Sequence, residues 1–230
     1  MNMPTDFQRL WRVWRALLPY DIQIVAGPLM CAAPPLSFRE RISAGMVAPK
    51  RMAELETGRF YAKQALSLLG FNNVELPVTE DRSPAWPSGT TGSITHIRRR
   101  EAEGYCAVAV GRDDQFRAIG IDVEYLVALP RKTWSTFLTP RELDQVSGLG
   151  CGDQAADVLV RWCVKESVIK ASRIGLDPLA IEAERTVAGG QWRLAACRDG
   201  RFGTAEGNGW HVQSAQAGGL VLAATAVRQA

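Results

Sequence analysis

The sequence predicts an α+β fold, and three observations carry that expectation. Helix-period and strand-period runs both occur, without the regular strand–helix–strand alternation that builds a parallel sheet. From Gln191 onward, short apolar runs alternate with glycine turns, as in an antiparallel meander. The chain has 230 residues, enough for one large domain or two small ones, each with a real core.

The elements follow in order. Phe7, Leu10, Trp11, Trp14, Leu17 and Leu18 fall at helical spacing with arginines between them, until Pro19 stops the pattern. A basic amphipathic helix can lie on a membrane surface or pack on its own domain; the length and the tryptophans here suit packing. Pro19 to Pro49 holds short apolar pieces and several prolines, which read as strands and loops. Residues 49–69 read as a helix with Pro49 in the first turn and Gly70 as the stop, and Gly58 is a point where it could divide. Residues 72–92, rich in Pro, Gly, Ser and Thr, read as a loop. Tyr105–Val110 and Arg117–Glu124 read as strands, with Gly111-Arg112-Asp113-Asp114 as a hairpin turn between them. Thr139-Pro140-Arg141-Glu142 is a capping-box sequence with proline at the first helical position. A stronger helix covers roughly residues 155–173, and the tail holds strands at Gln191–Ala196, Trp210–Ser214 and Leu220–Val227. No internal repeat or low-complexity segment is visible.

The bulk numbers exclude several classes. At 47% hydrophobic and 22% charged, the chain has the composition of a soluble globular protein. A net charge of +3 is too small for a polycation built for nucleic acid, so anion binding must come from local clusters. The five cysteines form no C-x-x-C pair and the two histidines are far apart, so neither a zinc site nor a disulfide framework is indicated. Free thiols suit a reducing cytoplasm. Arg9, Arg12 and Arg15 interrupt the N-terminal apolar runs, and no stretch reaches the roughly 18 apolar residues of a membrane span. A cytoplasmic protein with no membrane span and no nucleic-acid partner is expected.

Four constellations carry chemistry. In Ala118–Tyr125 the apolar Ile119, Ile121, Val123 and Tyr125 alternate to one face, which leaves Asp122 and Glu124 on the other, roughly 7 Å apart. A solvated sheet face explains such a pair cheaply; a hard cation offsetting the repulsion is the alternative, and oxygen-only ligands favour Mg²⁺ or Mn²⁺. Trp162, Glu166 and Lys170 stand at helical spacing, which fits a surface salt bridge or, on a helix made apolar by Leu159, Cys163 and Ile169, groups that need partners. The run Trp86-Pro87-Ser88-Gly89-Thr90-Thr91-Gly92-Ser93-Ile94-Thr95-His96 reads as a polar loop entering a strand. It is a plain turn or a phosphate loop, but not a Walker loop, since G-K-[ST] is absent. Arg59 interrupts the stripe Leu55, Ala62, Leu66, Leu69, with Lys63 a turn on and Lys50 and Arg51 at the helix start. An inward arginine more often reaches a carboxylate or phosphate than water. Taken together, acids for a metal and cations for phosphates describe metal-assisted chemistry on a pyrophosphate.

Four ordered segments extend this to a family. They are P-K-R-x-x-x-x-x-x-G-R-x-x-A at 49–62, R-x-P-x-W-P-x-G-x-x-G-S-x-x-H at 82–96, G-I-D-V-E at 120–124 and W-x-x-K-E-S-x-x-K-A at 162–171. In this order and spacing they resemble the 4′-phosphopantetheinyl transferases, particularly the enterobactin-synthase-component-D-like branch. The resemblance implies two similar α+β halves related by a pseudo-twofold, each a small mainly antiparallel sheet packed against helices, near 1–120 and 121–230. It implies coenzyme A as donor and a serine of an apo acyl- or peptidyl-carrier protein as acceptor, in siderophore, non-ribosomal-peptide or polyketide synthesis. It also implies Mg²⁺ (or Mn²⁺) on Asp122, Glu124 and Glu166, with Glu166 and Lys170 in the chemistry. Lys50, Arg51, Arg59, Arg82, Thr95, His96 and Lys170 then fall to coenzyme A, and a monomer is expected. One departure is Thr95-His96, where many members carry Ser-His: the hydroxyl is kept and a methyl is added. A metal-dependent nuclease and a non-catalytic nucleotide-binding module are the rivals. The nuclease arrangement needs E-x-K where Leu126 stands, and the module would set three acids against a polyanion.

Overall fold

In the computed structural model, residues 3–100, 103–173, 176–186, 190–197 and 209–229 are described. The order is α1 (Met3–Leu17), β1 (Gln23–Pro28), α2 (Phe38–Ala44), α3 (Pro49–Leu68), β2 (Thr90–Arg100), β3 (Glu103–Arg112), β4 (Phe116–Tyr125), α4 (Pro140–Ser147), α5 (Cys151–Ser172), β5 (Ile181–Arg185), β6 (Gln191–Cys197), β7 (Trp210–Ala217) and β8 (Leu220–Arg228). The strands form two antiparallel sheets, β1-β3-β2 and β4-β8-β7-β6-β5. This is the expected α+β arrangement, with the expected tail meander extended by β4 on one side and β5 on the other.

Strand alternation sorts the core into layers. Ala107 and Ala109 of β3 and Ile119, Ile121 and Val123 of β4 turn toward a shared core filled by Leu10, Trp14 and Leu17 of α1. The N-terminal helix is therefore a core element: Trp14 Nε1 donates to Tyr105 Oη at 3.0 Å, and Leu17 O lies 3.0 Å from His211 Nε2. On the far side of the first sheet, Cys106, Val108 and Val110 meet Tyr61, Ala62 and Leu66 of α3. On the far side of the second, Val221 and Ala223 meet Leu159, Cys163 and Val164 of α5. The two sheets touch along β2 and β4 without a backbone ladder between them. Among the described residues no helix is long and apolar enough to cross a membrane.

Several expectations need correction. β3 and β4 are not a hairpin pair: β3 already has β1 and β2 on its two edges, so β4 turns away at Arg112–Gln115 and pairs with β8. The Pro19–Pro49 stretch contains a helix, α2, nucleated by a capping box in which Ser37 and Glu40 serve each other's backbone N–H groups. α3 runs through Gly58 unbroken. A Cβ at Gly58 would lie 3.2 Å from Ile94 Cγ2, so the glycine lets the helix approach β2. His96 lies within β2, not at the end of a loop.

Candidate active site

The acids of β4 are placed by the strand and the helix that crosses it. Because Ile119, Ile121 and Val123 enter the shared core, Asp122 and Glu124 face α5. Gly120 makes that crossing close: a Cβ there would stand 1.9 Å from Ser167 O and 2.7 Å from Ala171 N. The α5 backbone thus rests on the strand, which brings Glu166 and Lys170 beside Asp122. Asp122 is only 4% exposed, so the solvated-face explanation of the acid pair fails. Lys170 Nζ donates to Asp122 Oδ1 at 2.6 Å and to Thr95 Oγ1 at 3.3 Å, and Thr95 Oγ1 donates to Asp122 Oδ1 at 3.3 Å. Asp122 Oδ2 is buried and has no hydrogen-bond partner.

The electrostatics follow from burial and crowding. Burial first, then the charges of Asp122 and Glu166, push the Glu124 carboxyl up to about 7, against the pull of Lys170 and the Trp162 indole. Burial and Asp122 likewise raise Glu166. Burial alone would lower Lys170, but Asp122 and then Glu166 hold it above the usual lysine range. Among the described residues no three Asp, Glu, His or Cys side chains are gathered closely enough to hold a metal ion as they stand, and Lys170 takes up Asp122 Oδ1. The donor chemistry nevertheless fits a hard divalent cation. All three candidates are oxygen ligands, one buried oxygen is unsatisfied, and burial and the neighbouring Asp122 raise the pKa of the other two carboxyls, a crowding that a cation would relieve.

Next to this set lies a cavity of about 610 Å³, walled by α3 and β2 of the first half, the 81–84 loop and the C-terminal turn of α5. It gathers Arg51, Arg59, Arg82, His96 and Lys170. Lys170 is common to cavity and acid set. Thr95 lies beneath, buried against Asp122, while Lys50 is exposed and does not line the cavity. Arg59, 5% exposed, donates through Nε to Leu76 O at 2.6 Å, and burial lowers its pKa to about 10. Leu76 is itself held by buried Glu40, which accepts from Leu76 N at 2.9 Å and from Lys63 Nζ at 3.0 Å. His96 Nε2 lies 3.0 Å from Arg51 Nη1 and 3.1 Å from Glu54 Oε2; burial lowers its pKa while Glu54 opposes.

Sequence reasoning missed three groups. Glu54 pairs with Arg51 at 3.3 Å, His96 at 3.1 Å and Arg98 at 3.6 Å; its position three residues after Arg51 was the available signal. Arg173 lines the cavity from just beyond α5. Lys165, the lysine of W-x-x-K-E-S, points away from the site and anchors the α4 capping box through Glu142 at 2.6 Å.

A two-sheet α+β fold with an arginine-rich cavity on the seam and buried acids beside it has the chemistry that a phosphorylated ligand needs. Residues 39–111 match the model of the 4′-phosphopantetheinyl transferase N-terminal domain, and residues 118–225 match that of the 4′-phosphopantetheinyl transferase superfamily. The chain belongs to the 4′-phosphopantetheinyl transferase family. It is 31% identical over 127 residues to 4′-phosphopantetheinyl transferase PptT of Mycobacterium tuberculosis, covering 53% of this chain and 51% of that one. It is 34% identical over 130 residues to enterobactin synthase component D of Escherichia coli, covering 56% and 58%. The matched stretch spans about half the length of these curated relatives.

Proposed function

We propose that this protein transfers 4′-phosphopantetheine from coenzyme A to a serine hydroxyl of an apo carrier protein. The observation that carries the reading is the buried Asp122 carboxylate, its Oδ2 without a partner and its Oδ1 linked through Lys170 to a cavity lined by Arg51, Arg59, Arg82 and His96. Asp122, Glu124 and Glu166 would hold Mg²⁺ or Mn²⁺, which when bound supplies positive charge to the pyrophosphate. Arg51, Arg59, Arg82 and His96 would hold the phosphate oxygens of coenzyme A, with Lys50 at the outer rim. Thr95 would keep Asp122 in place. Glu166, its pKa raised by burial and by Asp122, accepts the serine proton as the serine oxygen bonds to the pantetheine-side phosphorus. The bond from that phosphorus to the bridging oxygen breaks, and adenosine 3′,5′-bisphosphate leaves with the electron pair. Lys170 offsets the charge that develops.

The turn between β3 and β4 supports a division of the chain close to residue 120. The likeness to enterobactin synthase component D supports a carrier of siderophore synthesis, with other non-ribosomal-peptide or polyketide carriers as further acceptors. Free Cys31, Cys106, Cys151 and Cys163 support a reducing, cytoplasmic setting.

The test uses pure protein, coenzyme A as sole donor, Mg²⁺ and a panel of apo acyl- and peptidyl-carrier proteins, read by intact mass. A carrier should gain one phosphopantetheine group. No gain on any carrier would overturn the proposal.

A further inference from the structure

α5 ends in an unusual way. Its C-cap residue, Arg173, has φ 55 and ψ 16, the left-handed conformation that glycine enters freely and residues with a Cβ do not. A side chain held there at a conformational cost is a reason to ask what it does. The Arg173 side chain crosses from the second half to the first, where Nη2 donates to the buried Thr91 Oγ1 of β2 at 3.0 Å. That hydroxyl is neutral. Among the described residues no carboxylate stands within ion-pair distance of Arg173. Asp81, the nearest acid in the cavity wall, already accepts from Ser83 N at 3.1 Å and Ser83 Oγ at 2.8 Å within its own turn. The guanidinium therefore lines the cavity one turn beyond Lys170, with Asp81 as a counter-charge that acts from beyond ion-pair distance.

We propose that Arg173 is an anion-binding residue of this cavity, its guanidinium clasping a phosphate of the nucleotide from the side opposite Arg51 and Arg59. The inference rests on the reading of the cavity as a site for a phosphorylated nucleotide. A planar, permanently charged fork with one hydrogen bond spent on Thr91 has donors left for phosphate oxygens. Because its other anchor is a hydroxyl on β2, the residue would draw α5 and β2 together around the ligand.

Arg173→Gly separates this role from a structural one, since glycine relieves the left-handed backbone while deleting the cation. The variant should melt at or above the wild-type temperature. By calorimetry it should bind coenzyme A about tenfold more weakly, with a shallower salt dependence. Inorganic pyrophosphate, a probe that needs only an anion site, should weaken in parallel. Arg173→Asn, which also tolerates this backbone, should behave alike if the glycine variant folds poorly. Affinities for both probes within twofold of wild type in a folded variant would overturn the inference, as would wild-type protein that binds neither probe. Wild-type binding of coenzyme A without transfer to any carrier would instead overturn the proposed activity and leave this assignment standing.

Discussion

Lys165 and Lys170 lie five residues apart on α5, yet the structure gives them opposite work, and Lys165→Met tests that division. Lys165 is fully buried and Glu142 is 1% exposed. The ammonium donates to Glu142 Oε2 at 2.6 Å, Phe137 O at 2.6 Å and Pro178 O at 3.0 Å. Glu142 is not left bare without it, since it also accepts from Thr139 N at 2.8 Å and Ala183 N at 3.0 Å, with Arg161 Nη1 4.0 Å away. Removing one partner of a buried pair costs about 3–5 kcal/mol, and the two remaining donors to Glu142 place this case near the lower end. For a chain of this size that is a fall of roughly 6–12 °C in melting temperature. In urea, the midpoint should drop with the slope unchanged. The double variant Lys165→Met, Glu142→Leu removes the stranded charge and should recover part of the loss, with about 1–2 kcal/mol remaining from the helix cap and from Ala183 N, which loses its acceptor. A single-variant loss below about 1 kcal/mol, or a double variant no better than the single, would refute the reasoning.

Two further outcomes follow from the acid set. Gly120→Ala forces a Cβ into the α5 main chain, so the helix must move; we expect a folded protein whose transfer rate falls about 100-fold, and a near-wild-type rate would contradict the packing. Glu124, raised to about 7 in the fold from an ordinary 4.5, binds more protons folded than unfolded between those values, so without metal its contribution to stability falls as pH rises through that window. A divalent cation needs the ionised form, so Mg²⁺ at about ten times its dissociation constant should raise the melting temperature by roughly 3–6 °C at pH 8 and by less at pH 6. An equal rise at both pH values, or the same rise in Asp122→Asn, would remove these carboxylates from metal binding.

Much of this was readable in the sequence because it depends on local periodicity. The alternation in β4 placed Asp122 and Glu124 on one side, and helical spacing put Glu166 and Lys170 a turn apart. Neither pattern could say that the two faces meet, since that depends on Gly120 accepting a helix backbone. The capping box at Thr139 stands out beside Pro140, whereas the equivalent Ser37–Glu40 box lies among prolines that read as loop. The false β3–β4 hairpin arose because a short polar turn reads the same whether its strands pair or diverge, and the true partner of β4 is β8, distant in sequence. Glu54 stands three residues after Arg51, a spacing that also fits an ordinary surface pair, and Arg173 joins the site only through a contact with a strand far along the chain.

The seam between β2 and β4 has a mechanical consequence. Where neighbouring strands of one sheet share a ladder that gives way cooperatively, these two are stitched by side chains, with Ser93 Oγ accepting from Ile121 N at 3.1 Å and Thr95 reaching Asp122. Stitches of this kind can open singly, and a hydroxyl can rotate to a new partner without disturbing either backbone. The line along which the halves meet thus runs past Asp122, whose Oδ1 is shared by Lys170 and Thr95. Any small spreading or closing of the two sheets would be felt first at the Asp122 carboxylate.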